Sequence, residues 1–229
     1  MGIPLYLAMT AAEFAHCTEV PAHCAWMACH FSPYGTSLTN LPNRLPKGNM
    51  LILNDRTPVH GHDPKQIRQM LGDTVAGLGC SAVLLDMQRP NCPETQDIIR
   101  EALTLPCPVC VSDIYAKELD CPVFLPPLPL TQTPDNYFSP WVGREIWLDV
   151  ARECVELTVT AEGCRSCYSN PSGDFPFREE NLCCHYRAEL QENCIRFYLR
   201  RTKEDLHDLL EQSAAYGVTK GVGLWQELI

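Results

Sequence analysis

The sequence predicts an α/β fold, an irregular (β/α) TIM-like barrel with an antiparallel β insertion before its last β/α/β unit. Three observations carry this expectation. Between residues 3 and 125, short apolar runs alternate with segments of helical periodicity, and alternating strands and helices build parallel sheets with right-handed crossovers. Eight strand candidates suit a closed barrel better than an open doubly wound sheet, and none of them is followed by GxGxxG to support dinucleotide binding. The third observation is a break in the repeat, at residues 130–190, where strand-like runs follow one another without helices between them.

The elements follow in order. Residues 3–9 are a short apolar run that ends at Thr10 and is followed by Glu13. Residues 24–29 form a second strand, and a Pro-, Gly-, Asn- and Ser-rich loop then leads to a third at residues 50–53, closed by Asn54-Asp55-Arg56. Asp63-Pro64 starts a helix, because Asp caps and Pro is tolerated at the first helical position. Ile67, Met70, Leu71, Val75 and Leu78 recur at helical spacing, and Gly77 and Gly79 mark the exit. Ala82, Val83, Leu84 and Leu85 make a fourth strand, apolar at every position as suits a parallel strand covered on both faces. Pro90 prevents its ladder from continuing. An amphipathic helix at 94–103 turns Ile98, Ile99 and Leu103 inward. Strands at 107–111 and 121–125 leave little room for a helix between them, so the fifth helix is expected to be missing or reduced. Residues 145–150, 155–160 and 185–190 read as strands of the insertion, placed at 131–193. A strand at 194–199, a helix at 203–216 and a closing segment at 221–227, whose strand ends before Glu227, complete the barrel, all 229 residues forming one domain.

Bulk composition narrows the classes of function. Hydrophobic content is 45% and the net charge is -10, with a mean hydropathy of -0.14. An acidic balance argues against a nucleic-acid partner. No run approaches the roughly 20 apolar residues that span a bilayer, so no membrane association is expected. Residues 1–10 lack a basic leader and read as a first strand, not as a signal peptide. The 14 cysteines include several inside strand-like runs (Cys29, Cys107, Cys110 and Cys194). Free cysteine packs there as a small hydrophobe, which points to a reducing cytoplasm.

The chemistry-bearing residues gather at strand ends. Glu13, Asp55, Asp86 and Asp113 follow the first, third, fourth and fifth strand candidates, and Glu227 follows the last. Carboxylates from separate strands meeting on one rim are the usual construction of a barrel active site. A suitably spaced pair acts as acid and base, or as nucleophile, on a glycosidic bond; the plainer role is to end strands and cap helices. Arg56 and Arg89 could clamp an anionic group or pair with Asp55 and Asp86. Trp225 could form a stacking floor or fill the core, and Trp26, Met27 and Tyr34 share that ambiguity. Cys164, Cys167, Cys183, Cys184 and His185 lie within a short window, but adjacent strand residues point to opposite faces, so Cys183 and Cys184 are not expected to share a zinc ion. His60, His62 and Asp63 form a weaker metal candidate, and no metal or cofactor is expected.

Ser81-Ala82-Val83-Leu84-Leu85-Asp86-Met87-Gln88-Arg89-Pro90 resembles the fourth barrel strand of the chitinase-like family 18 glycoside hydrolases, which ends Asp-x-Glu-x-Pro. Gly221-Val222-Gly223-Leu224-Trp225 resembles that family's last strand, whose Trp floors the sugar subsite. The resemblance implies a carbohydrate-related barrel. It also implies a departure, because Gln88 occupies the place of the proton-donating Glu, and an amide cannot protonate a leaving group. Ser81 and Leu84 replace the earlier acids of the motif. The expectation is a divergent glycosidase or a non-catalytic sugar-binding relative. Asp86 would be its acid or electrostatic stabiliser, with Asp55 and Asp113 as further catalytic candidates. Gln88, Trp225, Glu13, Arg56, Arg89 and Glu227 would contact a sugar or other small polar ligand. The alternative is a cytoplasmic interaction scaffold whose insertion presents the partner surface.

Overall fold

A computed structural model describes residues 2–43, 45–57, 59 and 63–228, with Ala28 described by its backbone alone. Its first half alternates β1 (Leu5–Met9), α1 (Ala11–His16), β2 (Cys24–Phe31), β3 (Leu38–Thr39), β4 (Met50–Asn54), α2 (Pro64–Leu78), β5 (Ala82–Asp86), α3 (Pro93–Ala102), β6 (Val109–Ser112), α4 (Asp113–Ala116) and β7 (Val123–Leu125). Then come α5 (Pro134–Phe138), β8 (Ile146–Asp149), β9 (Cys154–Thr160), β10 (Gly163–Tyr168), β11 (Phe177–Glu179), β12 (Cys184–Gln191), β13 (Cys194–Arg200), α6 (Lys203–Ser213), β14 (Val218–Leu224) and α7 (Trp225–Leu228). No helix among the described residues is long and apolar enough to cross a membrane.

The parallel strands run in the order β1-β14-β8-β7-β6-β5-β4-β2, and pairing of β1 with β2 closes the ring. Strand parity sorts the core into two layers. Tyr6, Ala8, Ala25, Met50, Ile52, Ala82, Leu84, Cys110, Phe124, Trp147 and Val222 pack together inside the barrel. Their neighbours Leu51, Leu53, Val83, Leu85, Val109, Val111 and Leu148 pack outward, with Ile67, Leu71, Ile98 and Leu206 of the helices. Burial on both faces explains why these strands lack polar alternation.

Helix signals in the sequence act as expected. Asp63 accepts from the Lys65 N–H at 3.0 Å, Pro64 opens α2, and Gly79 ends it at a φ of 67°. In α6, Thr202 and Asp205 form a reciprocal capping box. The helix after β6 is reduced to the four residues of α4, as the close spacing of the two strands required. Glycine is needed where α6 and α7 press on β14. A Cβ on Gly221 would lie 2.7 Å from a Leu210 methyl, and one on Gly223 would lie 2.7 Å from the Val150 carbonyl.

The second sheet is antiparallel, in the order β10-β9-β13-β12-β11. It confirms an insertion but moves its limits. Residues 145–150, expected within the insertion, supply the barrel strand β8, whose Ile146, Trp147 and Leu148 are all buried. Residues 194–199, expected in the barrel, instead belong to β13 in the second sheet. The physical difference lies in alternation: Arg196 and Arg200 place charge on one face of β13, which a strand enclosed on both sides cannot accommodate. Trp225, expected on the last barrel strand, instead opens α7 directly after it.

Candidate functional site

Parity places a ring of polar residues at the carboxyl end of the barrel. Met50 and Ile52 point inward, so Asn54 does too; Leu84 is followed by Asp86, Cys110 by Ser112, and Trp147 by Asp149. Asn54 and Asp86 are partners in register across β4 and β5. These side chains stand above the plugged interior, where barrel chemistry is usually placed.

The strand end at Asp86 is held by several bonds. The Gln88 amide Nε2 donates to Asp86 Oδ1 at 2.5 Å. Asp55 accepts the backbone N–H groups of Gln88 and Arg89, at 3.0 and 2.8 Å. The Arg89 guanidinium donates to the Arg56 carbonyl at 2.7 Å, and the Tyr115 hydroxyl donates to the Arg89 carbonyl. The buried Ser112 hydroxyl accepts from the Met87 N–H at 2.7 Å and donates to the Leu85 carbonyl at 2.9 Å. Asp55 and Arg89 thus build the turn that carries Gln88. Asp86 is paired with that amide, and burial pushes its carboxyl up, with Gln88 opposing and the Asp55 charge adding.

Other candidates from the sequence lie in different settings. Glu13 accepts from the Thr10 N–H and hydroxyl at 2.7 and 2.8 Å, closing the cap of α1. Asp113 is the first residue of α4. Arg56 is exposed. Trp225 opens α7 directly beyond β14; it is half-buried, and its indole N–H is enclosed with no hydrogen-bond partner among the described residues. Glu227 accepts from the Arg152 N–H at 3.4 Å. Of the other aromatic candidates, Trp26 is buried and donates to the Asn40 carbonyl at 2.8 Å, whereas Tyr34 is exposed.

Two residues that the sequence reading passed over join the mouth. Burial foremost, then the charges of Asp86, Glu227 and Glu153, push the Asp149 carboxyl up to about 7, with a backbone hydrogen bond from Val150 opposing. Tyr137, from α5, is pushed up by burial and by the charges of Asp113, Asp149 and Glu153; its hydroxyl donates to the Pro126 carbonyl. The signal for Asp149 was available, since Ile146-Trp147-Leu148-Asp149 has the same apolar-run-then-acid form as β5. Tyr137 had no such signal, because α5 is a single short helix outside the repeat. Arg201 joins the mouth to the insertion. It is buried, lies 3.6 Å from Glu153, and donates to the Leu128 and Leu182 carbonyls.

The cysteine window is not gathered. Cys164 pairs in register with Val159 and Cys167 with Glu156, so the two thiols point to opposite faces of β10. Three strand spacings, about 14 Å, separate β10 from β12, which carries Cys184 and His185. His185 instead lies 2.9 Å from Asp205. His60 and His62 lie outside the described residues.

No protein-family model and no curated protein sequence matches the chain. Solved structures do match in fold. Over 99% of this chain and 98% of the other, it is similar to a chitinase from Chromobacterium violaceum, with a TM-score of 0.55 and 10% identity. It is similar to the spore cortex-lytic enzyme SleL of Bacillus cereus over 99% of this chain and 73% of that one, with a TM-score of 0.55 and 8% identity. The C-terminal domain of a putative chitinase from Desulfitobacterium hafniense matches over 98% of this chain and 94% of its own length, at 0.54 and 9%. By fold, this chain is a TIM-like barrel similar to those of the chitinase and cortex-lytic enzyme structures.

Proposed function

We propose that this chain is a carbohydrate-binding barrel built on a glycosidase architecture, without the proton-donating acid of that architecture. The observation that carries the reading is the Gln88 amide held 2.5 Å from Asp86 at the carboxyl rim. A glutamic acid there could protonate a leaving group, whereas the amide can donate a hydrogen bond and nothing more. Asp86 serves as acceptor, Gln88 as donor and Trp225 as a stacking surface for the sugar ring. The chitinase and cortex-lytic enzymes of similar fold support a saccharide as the ligand class. Cysteine usage in the sequence supports a cytoplasmic location.

The test pairs calorimetric titration of chitin oligosaccharides with assays on chromogenic glycosides. Binding without turnover is expected, and Asp86→Asn should weaken binding. Turnover by the native protein that is lost in Asp86→Asn would instead make it a divergent hydrolase. A second reading, as an interaction scaffold, draws on the free end of the insertion sheet. Val159, Ile195 and Leu190 are aligned there and exposed, Leu190 at 85%. Saturable binding of a partner through this face, with no saccharide affinity, would favour that reading.

A further inference from the structure

We propose that the outer edge of β10 is a docking strand for a second copy of this chain. The two β10 strands pair antiparallel about a two-fold axis centred on Ser166, joining two insertion sheets into one. This pairing is independent of saccharide binding at the barrel mouth.

β10 ends the second sheet, and its residues Gly163–Tyr168 are all exposed. It pairs with β9 without a break in register, and Gly163-Cys164-Arg165-Ser166-Cys167-Tyr168 holds no proline or lysine. Bulges, prolines and lysines are the devices that keep an exposed edge from pairing with another chain. The opposite edge of the sheet is treated differently. There β11 is only three residues long and follows directly on Pro176.

The free main-chain groups of β10 form a self-complementary row. Along an antiparallel strand, residues alternate between bonding to the neighbour and turning away from it. The Ser169 N–H donates to the Cys154 carbonyl at 3.1 Å, which sets the phase. Cys167, Arg165 and Gly163 therefore bond to β9, while Cys164, Ser166 and Tyr168 turn their N–H and C=O groups to the open edge. A second β10 meets all of these groups when the two Ser166 residues stand opposite each other. Cys164 then faces the partner's Tyr168 and Tyr168 the partner's Cys164, each pair exchanging two N–H···O bonds. Sliding one strand by two residues in either direction loses one pair.

Side chains favour the same register. Arg165 and Cys167 share one face of β10, so Arg165 stands opposite the partner's Cys167. One of the slid registers would instead set Arg165 against its own copy, and like charges directly opposite are destabilising. On the other face Tyr168, now 84% exposed, covers the partner's Cys164, placing a thiol against an aromatic ring. Pairing consumes the edge, so association closes at two copies. An interface of one strand from each copy is small, which makes the dimer a weak, exchanging one.

Sedimentation equilibrium of the full chain in reducing buffer, where no disulfide forms, tests this. A monomer–dimer equilibrium that shifts with concentration is expected. Ser166→Pro removes the central N–H from both copies and none of the bonds to β9, so it should weaken dimerisation about tenfold or more. Val142→Ser, at an exposed apolar residue ahead of β8, should leave it unchanged. Residue-resolved amide exchange on the native protein decides the matter even if the proline variant fails to fold. Exchange at Cys164, Ser166 and Tyr168 should slow as concentration rises, with Arg165 and Cys167 responding far less. Edge amides whose exchange ignores concentration overturn the proposal. So does a monomer at every concentration, a species that grows beyond the dimer, a dimer that Ser166→Pro leaves intact, or one that Val142→Ser abolishes.

Discussion

The two ends of the barrel treat their acids in opposite ways. At the base, Glu145 lies beneath Trp147 and is fully compensated. Its Oε1 accepts from the Trp147 indole at 2.9 Å, from Thr219 at 2.8 Å and from the Lys220 ammonium at 3.4 Å. Lys220 also sits 4.3 Å over the Trp147 ring. Burial alone would raise Glu145, but these three partners hold its carboxyl below the usual range. At the mouth, burial and neighbouring acidic charge raise both Asp86 and Asp149, and no cation among the described residues lowers either. The base is arranged to stay as it is. The mouth keeps two raised carboxyls, and perturbed groups of this kind concentrate at functional sites.

Substitutions at each end can break or sharpen this contrast. The largest effect is expected from Trp147→Ala, which empties the centre of the inner layer and removes the platform under Lys220. Urea denaturation should show a loss of about 3–5 kcal/mol. Asp149→Asn should act in the opposite direction. The folded state holds the Asp149 proton up to about pH 7 while the unfolded chain releases it near the ordinary aspartate value. Native stability is therefore progressively lost as pH rises between those two values. The asparagine variant escapes that loss and should be more stable by about 2–4 kcal/mol at pH 8, with no advantage at pH 3. An equal gain at both pH values would mean that charge is not the cause.

Asp55→Ala should cost about 1–3 kcal/mol, because two backbone N–H groups lose their acceptor. It should also weaken saccharide binding by freeing the turn that carries Gln88, and unchanged binding would remove that turn from the site. The smallest effect is expected for Lys220→Met, about 0.5–1 kcal/mol, since the ammonium contacts a partly exposed acid and one ring face. Should Lys220→Met cost more than Trp147→Ala, the base would be held by charge and not by packing.

Much of this arrangement was legible in local sequence. Runs such as Ala82–Leu85 announce strands covered on both sides, and Asp63-Pro64 with Gly79 delimits α2. The position of Asp86 at a strand end, and the amide of Gln88 two residues later, follow from the order of residues. The status of Glu13, Asp55 and Arg89 did not. Each looks like a rim group in sequence, yet Glu13 closes a helix cap, Asp55 holds the turn 33 residues later in the chain, and Arg89 binds a carbonyl. The choice between the barrel and the second sheet for residues 145–150 and 194–199 also depended on distant partners. Both are short strand-like runs, and what decides is which neighbouring strand each one pairs with.

The residue order alone determines a closed α/β barrel, because strand and helix periodicity and capping are local properties of a few consecutive side chains. It also determines that an amide, Gln88, follows Asp86 by two residues at the end of a strand. Tertiary structure decides which acids are compensated. Glu145 meets Lys220 across 75 positions of chain, while burial and the charges of Asp86, Glu227 and Glu153 raise Asp149. Charge interactions act through space and vary with burial, so the upward push on the Asp149 carboxyl belongs to the folded mouth and to no segment by itself.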